Sequence, residues 1–324
     1  MKAMILAAGF GERLWPLTAD RTKPALPVLG KPLVGYVAEY LAAFGINDVV
    51  VNLHHEPDSV RSALGDGSRF GVRLQYVHEP VILGTSGALD NARELLATET
   101  FIVVNGKIIT NIDLDAALQQ HRAENALATL VLKPNVAWER FSMVETSNGL
   151  ITRFAGMPAR KGDGQPPLMF TGIQILEPRI FDYIPRGVFS DTVISVYPQA
   201  IAKGERVIGH VTDGMWYELS TLQRYLDISL ALLHDERRHS FTGAGPQIAA
   251  NARVQDSILW DEVIIGPGAS VNRAVLGDRV RIDAGDVVEN AVVVRADVIA
   301  GRNPPAKALH GELRGENFVV HLSQ

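Results

Sequence analysis

The chain has 324 residues, 47% hydrophobic and 21% charged, which reads as an ordinary globular protein with room for one large or two modest domains. A net charge of −5 gives no general attraction to nucleic acid or anionic membranes, so any phosphate site must be local. The lack of cysteine excludes disulfides, thiolate metal sites and cysteine nucleophiles. With no signal peptide and no apolar run of transmembrane length, the cytoplasm is the expected location.

The first predicted element is a buried strand. The apolar run 4–8 stops at Gly9; Gly11 and Arg13 follow, and Lys23 comes soon after. Glycine backbone N–H groups can approach an anion closely, and two nearby cations suit a polyphosphate. On glycine spacing alone an ordinary strand-to-helix turn fits as well, since the third glycine of the dinucleotide fingerprint and the GK[ST] of a P-loop are missing. Next come a helix over 33–44, a strand over 48–53, a short helix over 59–64 and a strand over 73–78. A helix over 88–96 is entered through Gly84-Thr85-Ser86-Gly87, and a strand covers 101–104. This alternation predicts an α/β, Rossmann-like domain with a mixed, mostly parallel sheet covered on both faces. Ligands of such sheets sit at the carboxyl ends of the strands, where Gly9, Gly84 and Asn105 fall. No acidic residue ends the 48–53 strand, where Asn52, Leu53 and His54 stand, which argues against a nicotinamide dehydrogenase. His54 and His55 have no third ligand nearby in sequence and read as loop residues.

A helix over 114–124 follows, with Asp113 as N-cap, then a strand over 128–132. Asn148-Gly149 between apolar runs at 143–145 and 150–154 predicts a hairpin. A strand over 169–176, a helix over 193–203, a strand over 207–211 and an amphipathic helix over 222–233 complete a domain spanning 1–235. Residues 236–246 are polar and glycine-bearing, a linker. Beyond it Ile248, Val254, Leu259, Ile265, Val271, Leu276, Ile282, Val288 and Val294 recur at steps of six or five, the hexapeptide signature of a parallel β-helix over 247–302. No histidine falls within 248–301 to act as an acyltransferase base, so a structural role is expected. The tail, 303–324, carries Phe318-Val319-Val320, able to dock on the body or on a partner subunit in a homo-oligomer built through the β-helix or tail.

Over residues 5–32 the sequence reads ILAAGFGERLWPLTADRTKPALPVLGKP. This stretch resembles the N-terminal motif of the sugar-phosphate nucleotidylyltransferases, L-A-A-G-x-G-x-R-x-x-P-L-T followed by K-P-x-x-P-V and a further K-P. In pattern the chain is similar to the mannose-1-phosphate guanylyltransferases, and the resemblance extends over essentially its whole length. It implies in-line attack by a sugar 1-phosphate, mannose 1-phosphate favoured, on the α-phosphorus of a nucleoside triphosphate, GTP favoured, with release of pyrophosphate. Such chemistry needs positioning and charge neutralisation. The resemblance assigns Leu6, Ala8, Gly9, Gly11 and Asn105 to the nucleotide, Arg13 to its β and γ phosphates and Lys23 to its α-phosphate. Gly84, Thr85 and Gly87 match the L-G-T-A-G segment that lines the base, although a glycine-rich helix N-terminus explains them as well. Glu145, Thr171 and Gly172 fall where relatives contact the sugar; Glu145 also reads as a strand-edge charge. In this family the β-helix is left-handed.

Three positions depart from the pattern. The metal-binding N-G-D appears as Asn105-Gly106-Lys107, the second metal aspartate as Glu218, and the E-K-P lysine as Met157. An ammonium has no lone pair to offer magnesium. In one reading Lys107 replaces part of the metal's charge and contacts the α-phosphate, with any Mg2+ carried on the nucleotide phosphates. In the other, Lys107 and Glu218 close the site, leaving a nucleotide-sugar-binding or regulatory homologue, and Glu218 is a doubtful metal ligand. Arg153, Arg160 and Lys161 are candidates for the acceptor phosphate, or form a solvated basic face.

Overall fold

The computed structural model describes residues 1–158 and 164–322, so Arg160 and Lys161 lie outside the described residues. Its contacts group the chain into two compact units, one of residues 1–8, 34–57 and 64–216, the other of residues 9–33, 58–63 and 217–324.

The first unit is built on a nine-stranded sheet. Its strand order is Arg73–His78, Asp48–Leu53, Lys2–Leu6, Phe101–Asn105, Leu168–Leu176, Ala128–Pro134, Val207–Val211, Leu150–Phe154 and Met143–Ser147. The first four are parallel; the apolar runs of Asp48–Leu53, Lys2–Leu6 and Phe101–Asn105 are largely buried, while Arg73–His78 forms the more exposed edge. Lys2 pairs with Asp48 and Phe101, and Leu6 with Asn52 and Asn105, so the carboxyl ends of these three strands lie level.

The rest of the sheet is mixed: Leu168–Leu176 and Leu150–Phe154 run against the other strands, as the expected mixed sheet allows. Leu168–Leu176 runs antiparallel to both its neighbours, and the hairpin at Asn148 (φ 49) and Gly149 (φ 80) fixes another antiparallel pair. Two left-handed residues in a row suit a tight turn whose twist matches that of the strands. Two predicted helices are divided. Residues 88–96 split into Gly84–Asn91 and Arg93–Leu96 at Ala92, and 193–203 opens as a π-turn, Thr192–Val196, before the α-helix Tyr197–Ala202.

A buried polar cluster lies behind the sheet. His121 is 1% exposed, with Nδ1 2.8 Å from Thr129 Oγ1 and Nε2 3.0 Å from Glu177 Oε1. Burial lowers its pKa below the ordinary 6.5, and the hydrogen bond to Glu177 only partly offsets this. Below that ordinary value the unfolded chain therefore binds more protons than the native state. Stability is full above it and falls as pH drops towards the native pKa. We expect the unfolding free energy from urea titrations to decline as pH falls below about 6.5, by less than about 1.4 kcal/mol per pH unit, with a shallower slope in His121→Gln.

The second unit holds a helix, Leu222–Asp235, capped by Thr221 Oγ1 on the Arg224 amide at 3.2 Å, and then a parallel coil. Thr242 pairs with Leu259, Ile248 with Ile265, Val254 with Val271 and Leu259 with Leu276, each 17 residues on. One coil is thus three strands with aliphatic steps of six, five and six. Register places Val293 beside Leu276, so Val293 and not Val294 closes the column. Leu259, Ile265, Val271, Leu276, Ile282 and Val293 form its core. The tail strand Asn317–His321 runs antiparallel to Val287–Arg295 and buries Phe318, Val319 and Val320 against the chain's own body. No helix among the described residues is long and apolar enough to cross a membrane.

Candidate active site

The level carboxyl ends of the parallel strands are held by a short polar relay. Asn52, 3% exposed, accepts the Ala7 amide at 2.7 Å and donates to Glu79 Oε1 at 2.6 Å. Glu79, 1% exposed, also accepts the Leu83 amide on Oε2 at 3.0 Å, and its carbonyl lies 2.8 Å from His54 Nδ1. One buried amide–carboxylate pair therefore fixes both the exit of the first strand and the approach to Gly84. Sequence reasoning noted Asn52 only as the absence of an acidic residue, and passed over Glu79. Asn52→Ala would leave a buried carboxylate oxygen and a buried amide unpaired, at a cost of about 3 kcal/mol in urea denaturation.

The glycines at 84 and 87 answer to the neighbouring segment. A Cβ on Gly84 (φ 75) would sit 2.4 Å from the Ser190 carbonyl, and one on Gly87 2.8 Å from that of Val188. Ser86 and Gly87 donate their amides to the Ser190 carbonyl at 3.2 and 3.3 Å. Thr85 Oγ1 accepts the Thr192 amide at 2.9 Å and lies 3.1 Å from Thr192 Oγ1. The start of this helix is thus stapled to residues 188–192.

Asn105 ends its strand in register with Leu6, and the Gly106 amide donates to the Leu6 carbonyl at 2.9 Å. A Cβ on Gly106 would lie 2.9 Å from that same oxygen. This close approach fixes the turn that carries Lys107, a partly exposed side chain. Gly172 (φ 85) presses against Asn105, since a Cβ there would lie 2.1 Å from Asn105 Nδ2. Thr171 and Gly172 occupy a register shift in Leu168–Leu176, and such irregularities re-aim backbone at strand ends. Thr171 Oγ1 donates to the Val131 carbonyl at 2.8 Å, and its own carbonyl accepts from Trp216 Nε1 at 2.9 Å. Leu6, Asn105, Gly106 and Gly172 are therefore brought together. Glu145 lies on the hairpin and takes a two-pronged pair from Arg153 at 3.0 and 2.5 Å. That hydrogen bonding holds its carboxyl below the usual carboxylate range.

In the second unit, the glycine loop closes on itself. Gly11 (φ 69) lies where an added Cβ would be 3.0 Å from Lys23 Cβ and 3.2 Å from Thr18 Cγ2, and its carbonyl accepts the Leu14 amide at 2.9 Å. Both the positive φ and the close approach demand glycine, and they set Lys23 beside the loop. Gly9 and Arg13 are exposed. Glu218 is 3% exposed and ends the strand Trp216–Glu218, its carbonyl accepting from Arg224 Nε at 2.9 Å.

The described residues hold no cluster of three or more histidine, aspartate or glutamate side chains able to grip a metal ion. With an ammonium donor at 107, the residues present do not fit a divalent ion held by the protein in the manner the resemblance implies.

Residues 2–235 match the family model described as nucleotidyl transferase, and residues 234–302 match a GlmU-like C-terminal hexapeptide model. The chain belongs to the nucleotidyl transferase family. It is 30% identical to a UTP–glucose-1-phosphate uridylyltransferase of Synechocystis, over 90% of this chain and 82% of that one. It is 29% identical to a mannose-1-phosphate guanylyltransferase of Mycobacterium tuberculosis, covering 89% and 82%. With an N-acetylmuramate α-1-phosphate uridylyltransferase of Neisseria meningitidis it shares 36% identity, covering 69% of this chain and 95% of that one. A solved Bacillus anthracis structure, 24% identical with a TM-score of 0.62 over 72% of this chain and 96% of its own, shares the fold.

Proposed function

We propose that the chain is a sugar-1-phosphate nucleotidylyltransferase. A phosphate oxygen of the sugar 1-phosphate attacks the α-phosphorus of the nucleoside triphosphate, the bond to the β-phosphate oxygen breaks, and pyrophosphate leaves. The observation that carries this reading is the closed loop in which Gly11 packs on Lys23, within a chain of this family. In the proposal Leu6, Ala8, Gly9, Gly11 and Asn105 hold the nucleotide, Arg13 the β and γ phosphates, and Lys23 and Lys107 the α-phosphate. Gly84, Thr85 and Gly87 line the base, and Glu145, Thr171 and Gly172 the acceptor. Glu145 reaches a sugar hydroxyl only by sharing or exchanging Arg153.

GTP with mannose 1-phosphate is the favoured pair, supported by the L-G-T-x-G pattern at 83–87 and by the guanylyltransferase relative. Any magnesium arrives bound to the triphosphate. We further propose a catalytic domain ending near residue 235, a left-handed coil, a cytoplasmic location and a homo-oligomer built through the β-helix or tail.

A regulatory homologue is the second reading, favoured by Lys107 and by Met157 in place of the E-K-P lysine. Thermal shift with GTP, UTP, dTTP and ATP tests the shared nucleotide site, because a ligand of the native state raises apparent stability. A shift of several degrees with one nucleotide is expected; no shift with any of the four contradicts both readings.

A further inference from the structure

Within the second unit the glycine loop is bolted to the β-helix through one arginine. Arg21 Nη2 donates to Asp278 Oδ2 at 2.7 Å, and its Nε donates to Asp20 Oδ1 at 2.9 Å. The guanidinium carbon stands 5.0 Å from the centre of the Trp260 ring. Trp260 is 5% exposed and donates from Nε1 to the Tyr225 hydroxyl at 2.9 Å, while that hydroxyl donates to the Pro27 carbonyl. Asp278 is itself fixed, accepting the Asp261 amide at 3.2 Å. Further along the seam, Trp15 meets Phe318 edge to face at 5.2 Å, and Lys307 pairs with Glu12 at 3.2 Å. The gap left between Arg21, Pro16, Trp260 and Asp278 measures only about 40 Å³, near the room one water needs.

These contacts fall next to the reacting part of the loop. Arg21 lies two residues before Lys23, and Lys23 Cβ is the atom on which Gly11 packs. A displacement of Arg21 is therefore passed to Lys23 and Gly11 together. Arg21 itself is no phosphate ligand. Burial opposes its charge, yet Asp20 and Asp278 neutralise it and hold its pKa above the ordinary arginine value. An arginine committed to two carboxylates and an aromatic face has a fixed planar fork to spend on position.

We infer that Arg21, gripped by Asp278 and Trp260 of the β-helix, is a positioning residue for triphosphate binding, so that the C-terminal module sets nucleotide affinity through residues 20–23. The inference rests on the reading of residues 9–23 as the triphosphate loop. It adds to the structural role expected of the β-helix.

The test uses the full-length chain and three variants, Asp278→Asn, Arg21→Gln and Asp278→Glu. Calorimetric titration of the wild type with GTP, UTP, dTTP and ATP comes first. A wild type that binds none of them overturns the functional reading and this inference together. With the best-bound nucleotide, Asp278→Asn and Arg21→Gln are expected to raise Kd and the nucleotide KM about tenfold, as loss of a charge-assisted hydrogen bond implies. The KM for the sugar 1-phosphate stays within about twofold, and Asp278→Glu recovers nucleotide affinity, because the charge returns while the rest of the seam is intact. Wild-type nucleotide affinity in both Asp278→Asn and Arg21→Gln overturns the inference while leaving the functional reading standing. A parallel rise in both KM values also overturns it, since that marks general damage to the fold.

Discussion

Replacing Lys107 by alanine is expected to lower kcat by about a hundredfold or more, the scale seen when one preorganised donor to transition-state charge is removed. The turn that carries it is tightly specified, with the Gly106 amide on the Leu6 carbonyl at 2.9 Å and no space for a Cβ at 106. Such a turn fixes where the ammonium emerges, and the charge developing at the α-phosphorus needs a cation in a fixed place more than it needs covalent help. Lys107→Asp separates the two readings of this site. If the ammonium works on the α-phosphate, the aspartate variant loses activity or acquires a new magnesium requirement. If Lys107 and Glu218 close an inactive site, pyrophosphate release appears or nucleotide binding tightens. Rates with and without magnesium, measured on the same preparation, decide between them.

Loss of the loop cations is expected to act on nucleotide affinity. Lys23→Ala keeps the Cβ that touches Gly11, so that contact survives while the rest of the side chain, the ammonium included, is removed. Arg13 is exposed, and its truncation leaves no buried group unpaired. Each change should raise the nucleotide KM between about tenfold and a hundredfold, the range for a hydrogen bond between charged partners, with little shift in melting temperature. The nucleotide KM of the wild type should rise with ionic strength, and that slope should flatten in Arg13→Ala, because exposed charges are screened. Calorimetric titration over a salt series reads both effects.

The sequence was most legible where a single physical cause sets the structure. Asp48–Leu53, Arg73–His78 and Val207–Val211 carry their predicted bounds; for the first and last, short apolar β-branched runs leave few alternatives. Asp113 caps its helix as expected, accepting the Ala116 amide at 3.1 Å. Of the two reversed strands, Leu150–Phe154 was legible from the Asn148-Gly149 turn, whereas the reversal of Leu168–Leu176 was hidden, because its direction depends on which neighbours accept it. The 17-residue coil was visible as steps of six and five, but one step was placed a residue late at Val294, where adjacent valines offer the pattern no choice. The Gly11–Lys23 contact lies within the one short segment in which the sequence gathers glycines and cations. Asn52 and Glu79 were not legible, because their meaning lies in a 2.6 Å contact between residues 27 positions apart. Arg21 escaped for the same reason, its partner Asp278 lying 257 residues on.

The central claim is nucleotidyl transfer by a site that carries Lys107 in place of a metal carboxylate. Pyrophosphate release addresses it most directly, measured with GTP, UTP, dTTP and ATP against a panel of sugar 1-phosphates that includes mannose 1-phosphate, with and without magnesium. The account predicts turnover with one nucleotide–sugar pair, GTP with mannose 1-phosphate foremost, and its loss in Lys107→Ala. Tight nucleotide binding with no pyrophosphate from any pair, and turnover emerging in Lys107→Asp, would contradict it.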